Sequence, residues 1–538
     1  MTDAAADGAS APAKGQVQGQ AQESASLQDW IAVVAGALGA LIASLDISIV
    51  NSALPQIQGE IGASGTEGTW ISTGYLVSEV VMIPLAAWLT RVFGLRTLLL
   101  LCGGLFTVFS MVCGIAHDLP TMILGRVGQG FFGGALIPTA QTIVRTRLPP
   151  RQMPIGMTIF GLIVLLGPLL GPVIGGWLTE SASWRWCFFL NLPIAGGLIA
   201  LLLLGLPHNK SRLDQFIRAD WLGIVGMTAG LSCLTVVLEE GQRDRWFESS
   251  FIVLLSVISV IGFIVLGIAQ ATVKQPVIKL RLMLNRSYAS VILIIVVVGM
   301  VLYGILYVLP QFLSIIAGYN SEQSGRILAV SGIPAFLMMP ILPLILGKAP
   351  LRLTVLLGLT CFALSCFIDI GLTAETSGDH FVISQLLRGV GQILAFMPLN
   401  QASVGSVPPE DAADAAGLYN MARNLGGSLG LALLGVFIDR RSEAHADYIG
   451  QAVTQNSDLA QARLAGQAAG FAATNGGDMG AANMQALTAL AGTVRQQAMI
   501  ITYSECFWIL GIALIALMPL VFLLKAPPKR SSAAEMAH

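Results

Sequence analysis

The 538-residue chain is 55% hydrophobic and only 11% charged, with a mean hydropathy of +0.75. A soluble globular chain carries roughly 25% charged residues, so a soluble fold is excluded. Lys+Arg at 29 and Asp+Glu at 30 nearly cancel, which leaves no bulk charge to attract nucleic acid or other acidic partners.

Residues 1–29 are rich in Ala, Gly, Ser and Gln and have no apolar core. They read as a disordered cytoplasmic tail, not a cleaved signal peptide. Beyond them, runs long enough to cross the hydrocarbon core as helices, about 20 apolar residues each, recur to the end of the chain. They fall near 30–54, 70–89, 97–115, 120–145, 154–177 and 186–206, then 218–238 and 251–270. The last six are near 287–312, 323–346, 351–371, 381–405, 413–438 and 498–524. These fourteen expected spans make an all-α integral membrane protein: an N-terminal six-helix bundle (30–206), two accessory helices with their loops (207–286), a C-terminal six-helix bundle (287–524) and a short tail (525–538).

Basic residues gather in alternate connections: Arg91 and Arg96; Arg145, Arg147 and Arg151; Lys210, Arg212 and Arg218; Lys274, Lys279, Arg281 and Arg286; Lys348 and Arg352; Lys525, Lys529 and Arg530. The intervening loops carry Glu60, Glu67, Asp118, Glu375 and Asp379. The positive-inside rule therefore puts both termini in the cytoplasm, and the last outer connection, 439–497, reads as a helical hairpin turning at Asn475-Gly476-Gly477. Arg126-Val127-Gly128-Gln129 in the fourth span is echoed by Arg388-Gly389-Val390-Gly391-Gln392 in the twelfth, as in transporters built from related halves.

Ionisable groups inside spans are costly and mark functional sites. Asp46, Glu79 and Arg126 lie about 12, 13 and 9 Å from the outer ends of their helices, so the three form a candidate proton-coupling cluster. A carboxylate in a dry cavity holds its proton, and a neighbouring arginine favours its loss; a permanent pair holding two helices together would use the same residues. Arg388, Arg423 and Glu505 are the second-half charges. Arg388 and Glu505 share a depth of about 10 Å, which suggests a pair. Asp369 reads as snorkelling from a helix end, and Glu239 and Glu240 as capping one at the outer surface. Gly167-Pro168-Leu169-Leu170-Gly171-Pro172 suits a pliant, closely packed helix between the halves. Tyr75, Phe131, Tyr303, Tyr307, Gln311, Phe396, Met397 and Tyr419 are candidates for lining a cavity for an apolar ligand.

Cys102, Cys113, Cys187, Cys233, Cys361, Cys366 and Cys506 fall in or beside apolar runs without metal-ligand spacing, and the five histidines lie in connections or the tail. No metal, cofactor or enzymatic nucleophile–base set is expected.

These motifs resemble the major facilitator superfamily, and within it the fourteen-span drug:proton antiporter family of the EmrB/QacA type. Leu45 to Pro55 resembles its first-helix motif, Arg126 with Gln129 and Gly130 the fourth-helix motif, Gly167 to Gly176 the antiporter motif, and Trp184 to Pro193 the signature entering the sixth helix. The resemblance implies proton coupling at Asp46 and Arg126 and conformational coupling at Gly167, Pro168, Gly171 and Pro172. It also implies an inner-membrane exporter of hydrophobic or amphipathic compounds that works with a periplasmic adaptor and an outer-membrane channel. The family's loop between the second and third spans has an aspartate where this chain has Arg91, and a glycine where it has Ala87. An exporter of one dedicated metabolite, such as a siderophore or fatty acid, and a non-transporting receptor or scaffold share the same sequence features.

Overall fold

The computed structural model describes residues 24–149, 152–207, 216, 219–273, 276–338, 341–454, 456–474 and 478–524. The expected tails through residue 23 and from 525, the Asn475-Gly476-Gly477 turn, and Arg151, Lys210, Arg212, Arg218, Lys274, Lys525, Lys529 and Arg530 lie outside the described residues. Within them the chain is helical, with no strand.

The helices are α1 (Leu27–Ile61), α2 (Gly65–Gly68), α3 (Trp70–Phe93), α4 (Leu95–Gly114), α5 (Leu119–Gly133), α6 (Leu136–Arg147), α7 (Met153–Ser181), α8 (Arg185–Phe189), α9 (Asn191–Gly205), α10 (Trp221–Glu240) and α11 (Ser250–Thr272). They continue as α12 (Arg286–Ile315), α13 (Ser321–Ala329), α14 (Gly332–Met338), α15 (Leu342–Lys348), α16 (Leu351–Ile368), α17 (Phe381–Gly405), α18 (Ala412–Ala452), α19 (Asp458–Thr474) and α20 (Met479–Leu517). Among the described residues, 11 helical segments are long and apolar enough to cross a membrane. The fourth and tenth expected spans are broken. Pro138 has no N–H for the Gly134 carbonyl, so the fourth divides into α5 and α6; Pro334 does the same to Val330, dividing α13 from α14.

Capping sets the entry of the first helix. Ser26 accepts from the Asp29 amide at 3.2 Å while the Asp29 carboxylate accepts from the Ser26 amide at 3.1 Å, satisfying donors that the first turn would leave bare. At the other end of the chain, α18 and α20 run for 41 and 39 residues. Both continue beyond membrane length because no proline stops them; the outer part of α20 is rich in Ala, Gln and Leu, and that of α18 carries the charged run from Asp439 to Asp447. Together with α19, which packs on α20, they project from one side, here termed the hairpin face. The opposite end, with Arg91, Arg96, Arg147 and Arg352, is the basic face.

In the first half α1 packs on α7, α9 and α6, and α3 on α5; in the second, α12 packs on α18, α16 on α17, and α18 on α20. Hydrocarbon gives no hydrophobic drive between helices, so close backbone approach supplies the attraction. A side chain at Gly167, Gly171 or Gly175 would collide with Ser44, Ser48 or Ser52; the glycine row of α7 thus faces α1 of its own bundle. The expected contact across the halves comes from the helix's other side, where Pro172 lies against Gly325 of α13. The Pro168 side chain lies outside the described residues.

The accessory helices α10 and α11 pack on each other, and α10 also touches α3 and α18. A Cβ at Gly262 would stand 2.5 Å from the Gly230 amide nitrogen and 2.8 Å from the Gly226 carbonyl. Gly262→Leu should therefore force α10 and α11 apart at a cost of about 1–3 kcal/mol, read as a lower thermal midpoint in detergent. An unchanged midpoint would contradict this packing.

Candidate functional site

The Asp46 side chain is 1% exposed and Arg126 is 1% exposed, a depth at which an unpaired charge would be prohibitive. Both are fully engaged. One carboxylate oxygen of Asp46 is paired with the Arg126 guanidinium; the other accepts from the Gln129 amide at 3.0 Å and the Asn191 amide at 2.8 Å. Arg126 also donates to the Ile71 carbonyl at 3.1 Å and to Gln129 at 3.1 Å, and lies 4.4 Å over the Tyr75 ring. Gln129 meets Arg126 because residues three apart share a helix face. Five helices (α1, α3, α4, α5 and α9) contribute, since Ser110 of α4 accepts from Asn191 at 3.0 Å.

The signature before the sixth span has two distinct parts. Asn191 supplies the amide just described. Trp184 and Arg185 instead clasp the hairpin face: the Trp184 indole donates to Glu60 at 2.6 Å, and Arg185 pairs with Glu60, donates to the Ala116 carbonyl at 3.2 Å and stacks on Trp184 at 4.3 Å.

Glu79 does not join the network. It is 2% exposed, and its Oε2 has no hydrogen-bond partner among the described residues. The charges acting on it are Arg423 of α18 and Arg126, with Asp46 opposing them. Arg423 forms no ion pair among the described residues; its guanidinium rests on the Asn424 side-chain oxygen at 3.3 and 3.4 Å. The expected cluster of three thus divides into a hydrogen-bonded network around Asp46 and Arg126 and a separate carboxylate near Arg423 of the other half.

In the second half, Arg388 and Glu505 do not pair. Arg388 is bound to Asp369 at 3.1 Å, and Asp369 is completely buried instead of snorkelling. Glu505 is held by Arg441 at 2.8 and 2.5 Å, with His445 Nε2 3.1 Å away, at the base of the projecting helices. Equal depth placed Arg388 and Glu505 level, but they point in different directions. Glu240 is likewise no surface cap: it is 1% exposed and accepts from Thr73 at 2.5 Å, Thr69 at 3.2 Å and Arg243 at 2.6 Å. Its neighbour Glu239 accepts from Ser428 at 2.6 Å. The end of α10 therefore grips α3 with one carboxylate and α18 with the next.

Of the proposed lining residues, Tyr75 is buried under Arg126 and donates to the Ala43 carbonyl at 3.3 Å, and Tyr419 is buried with its hydroxyl on the Phe396 carbonyl at 3.2 Å. Tyr303, Tyr307, Gln311, Phe396, Met397 and Phe131 are half-buried. Gln311 accepts from Tyr503 at 3.4 Å, and Met397 reaches Gly161 across the halves.

At the basic face, Arg91 of α3 donates to both oxygens of Asp414 on α18 at 3.0 Å. Lys279 binds Asp411 and lies 3.2 Å from Asp414. Partial burial works against the Lys279 charge, but the two aspartates outweigh it and raise the ammonium above the ordinary lysine range. Arg145 donates to Asn400 at 3.2 Å and Asn420 to Gln141 at 3.2 Å, again across the halves. The arginine that departs from the family loop pattern thus has an acidic partner. Asp414, its partner, lies in the first turn of α18.

The sequence model of the Major Facilitator Superfamily matches residues 36–431. The chain belongs to the Major Facilitator Superfamily. It is similar to the colistin resistance protein EmrB of Acinetobacter baumannii, 32% identical over 436 residues that cover 81% of this chain and 85% of that one. With the multidrug export protein EmrB of Escherichia coli it is 29% identical over 499 residues, 92% of this chain and 95% of that one. The crystal structure of the human organic anion transporter MFSD10 has a similar fold, with a TM-score of 0.55 at 16% identity, covering 90% of this chain and 99% of that one. As a member of this superfamily the protein is a multi-pass membrane transporter of small molecules.

The basic-face ion pair is open to a charge-reversal test. Arg91→Asp should set two carboxylates against each other and loosen the contact between α3 and α18, so that a cysteine placed at Thr142 reacts faster with a maleimide. Adding Asp414→Arg should restore the slow rate, with a coupling of about 1 kcal/mol for a partly exposed pair. Absence of restoration would show that the two residues act independently.

Proposed function

We propose that this transporter is a proton-driven antiporter exporting hydrophobic or amphipathic compounds. In this reading it crosses the inner membrane fourteen times with both termini in the cytoplasm, and works with a periplasmic adaptor and an outer-membrane channel. The names of its relatives, a colistin resistance protein and a multidrug export protein, support the direction and breadth of transport. The long helices of the hairpin face offer a surface of suitable reach for an adaptor.

The observation that carries the proton part is Glu79: a buried carboxylate between Arg126 and Arg423 of the opposite half, with an oxygen that has no partner and an Arg423 that has no ion pair among the described residues. With the bundles in one arrangement Arg423 lies close and favours the ionised form. When they rock apart, the carboxylate loses that partner and takes a proton from the side to which the cleft has opened. Cargo that requires the ionised or vacated site then competes with the proton, and exchange follows. The Asp46–Arg126–Gln129–Asn191 network holds α5 and α1 in register, so that a change at Glu79 moves the bundle as one body. Arg91–Asp414 and the antiporter glycines are the hinges and closures of the same movement.

In proteoliposomes, ethidium should move into or out of the lumen only while a pH gradient is imposed. Glu79→Gln should reduce that movement to the leak of protein-free vesicles while leaving the thermal midpoint unchanged. Asp46→Asn should differ: it strands Arg126, costing about 3–5 kcal/mol of stability, so its loss of transport comes with a lower midpoint. Gradient-independent movement in the wild type would remove proton coupling.

A further inference from the structure

The two halves treat their buried arginines differently. In the first half, both oxygens of Asp46 and the Nε and Nη1 of Arg126 have protein partners, and the one buried atom of that network without a partner among the described residues is Asn191 Oδ1. The second half holds a comparable constellation at its α16–α17 contact, with the Ser384 hydroxyl close to the Asp369 carboxylate, and there five buried atoms have no hydrogen-bond partner among the described residues: Asp369 Oδ1, Arg388 Nε and Nη1, and both amide atoms of Gln385. Asp369, Arg388 and Gln385 are 0%, 2% and 0% exposed. Gln385 and Arg388, three residues apart on α17, share a helix face. Unpartnered polar groups in such number do not persist in a dry interior, whereas a few waters with two to four polar partners each would satisfy them.

We infer that Asp369, Arg388 and Gln385 form a second, hydrated protonation site, in which Asp369 accepts a proton from the water of the hairpin face. The approach is short. Arg388 lies about 10 Å along α17 from its outer end, and Asp369 directly follows the last residue of α16. Protonation adds one proton to the carboxylate and leaves Arg388 charged, so binding a proton here changes the net charge of the cluster by one. The charged and titratable groups facing Asp369 are Arg388 and His380, from α17 and the turn entering it, with Cys366 one turn back on its own helix. On the other flank of α16, α20 turns Tyr503 to Gln311 and Glu505 to Arg441. The site gives the second half a proton-binding group of its own, separate from Glu79. This use in transport rests on the antiport reading above, but protonation itself is measurable without transport.

The test is pH-difference infrared spectroscopy of the full-length protein in lipid bilayers, reading the carbonyl band of protonated buried carboxyls. Asp369→Asn should delete one such band, and Glu79→Gln a different one. Gln385→Leu, which keeps the charged pair, should move the midpoint of the Asp369 band by about one pH unit. If Asp369→Asn does not fold, the Gln385→Leu midpoint decides alone. A spectrum unchanged by Asp369→Asn, or a midpoint unmoved by Gln385→Leu, would show a permanently ionised pair that only fastens α16 to α17. A band deleted by Glu79→Gln with none sensitive to Asp369→Asn would sink this site and leave the antiport reading standing; a band deleted by Asp369→Asn with none sensitive to Glu79→Gln would do the reverse.

Discussion

The constraint on which the structure depends is the cost of charge in hydrocarbon. Asp46 and Arg126 are tolerable at 1% exposure because they pair with each other and hydrogen-bond to Gln129, Asn191 and the Ile71 carbonyl. A buried pair of this kind adds little net stability, since desolvation offsets the Coulomb gain. It makes misplacement expensive instead. Five helices must arrive at one point for the network to close, so the first half behaves as one piece. That rigidity is what allows small events elsewhere to be transmitted.

Set against this hydrogen-bonded network, Glu79 stands out by contrast. Arginines act on it by charge, while its Oε2 accepts no hydrogen bond among the described residues, and the arginine contributed by the second half, Arg423, has no acidic partner among them. The distance between the halves therefore controls the field at Glu79. At the basic face the halves are already joined, through Arg91–Asp414, Arg145–Asn400 and Gln141–Asn420, while α1 packs chiefly on α7, α9 and α6 of its own bundle. The accessory helix α10 spans the same divide on the hairpin face, with Glu240 on α3 and Glu239 on α18. A membrane-embedded strut of this kind limits how far α3 and α18 can separate there.

Much of this was legible in the sequence, because membranes impose strong rules. Apolar length marked the helices, and matched depth brought Asp46 to Arg126. Depth did not suffice in the second half: Arg388 and Glu505 lie level, yet Arg388 turns to Asp369 and Glu505 to Arg441. Pairing needs the direction each residue takes around its helix, and that is fixed only when the bundle packs. The same gap hid Asn191, whose one signal was a polar side chain at the head of an apolar run, and Glu240, which resembled a terminal charge. Arg91 illustrates a different limit. Its departure from the family loop pattern was visible, but its partner Asp414 is 323 residues away, and nothing local links them. The glycines of the fifth span were recognisable as packing residues, although which neighbour they faced was not.

If Glu79 is the group that trades a proton for cargo, binding and deprotonation must be one event. The most direct measurement is proton release when ethidium is added to the purified protein in weakly buffered detergent solution. The account predicts release by the wild type as the dye binds, and no release by Glu79→Gln even when that variant still binds dye. Equal release from the two proteins would contradict it.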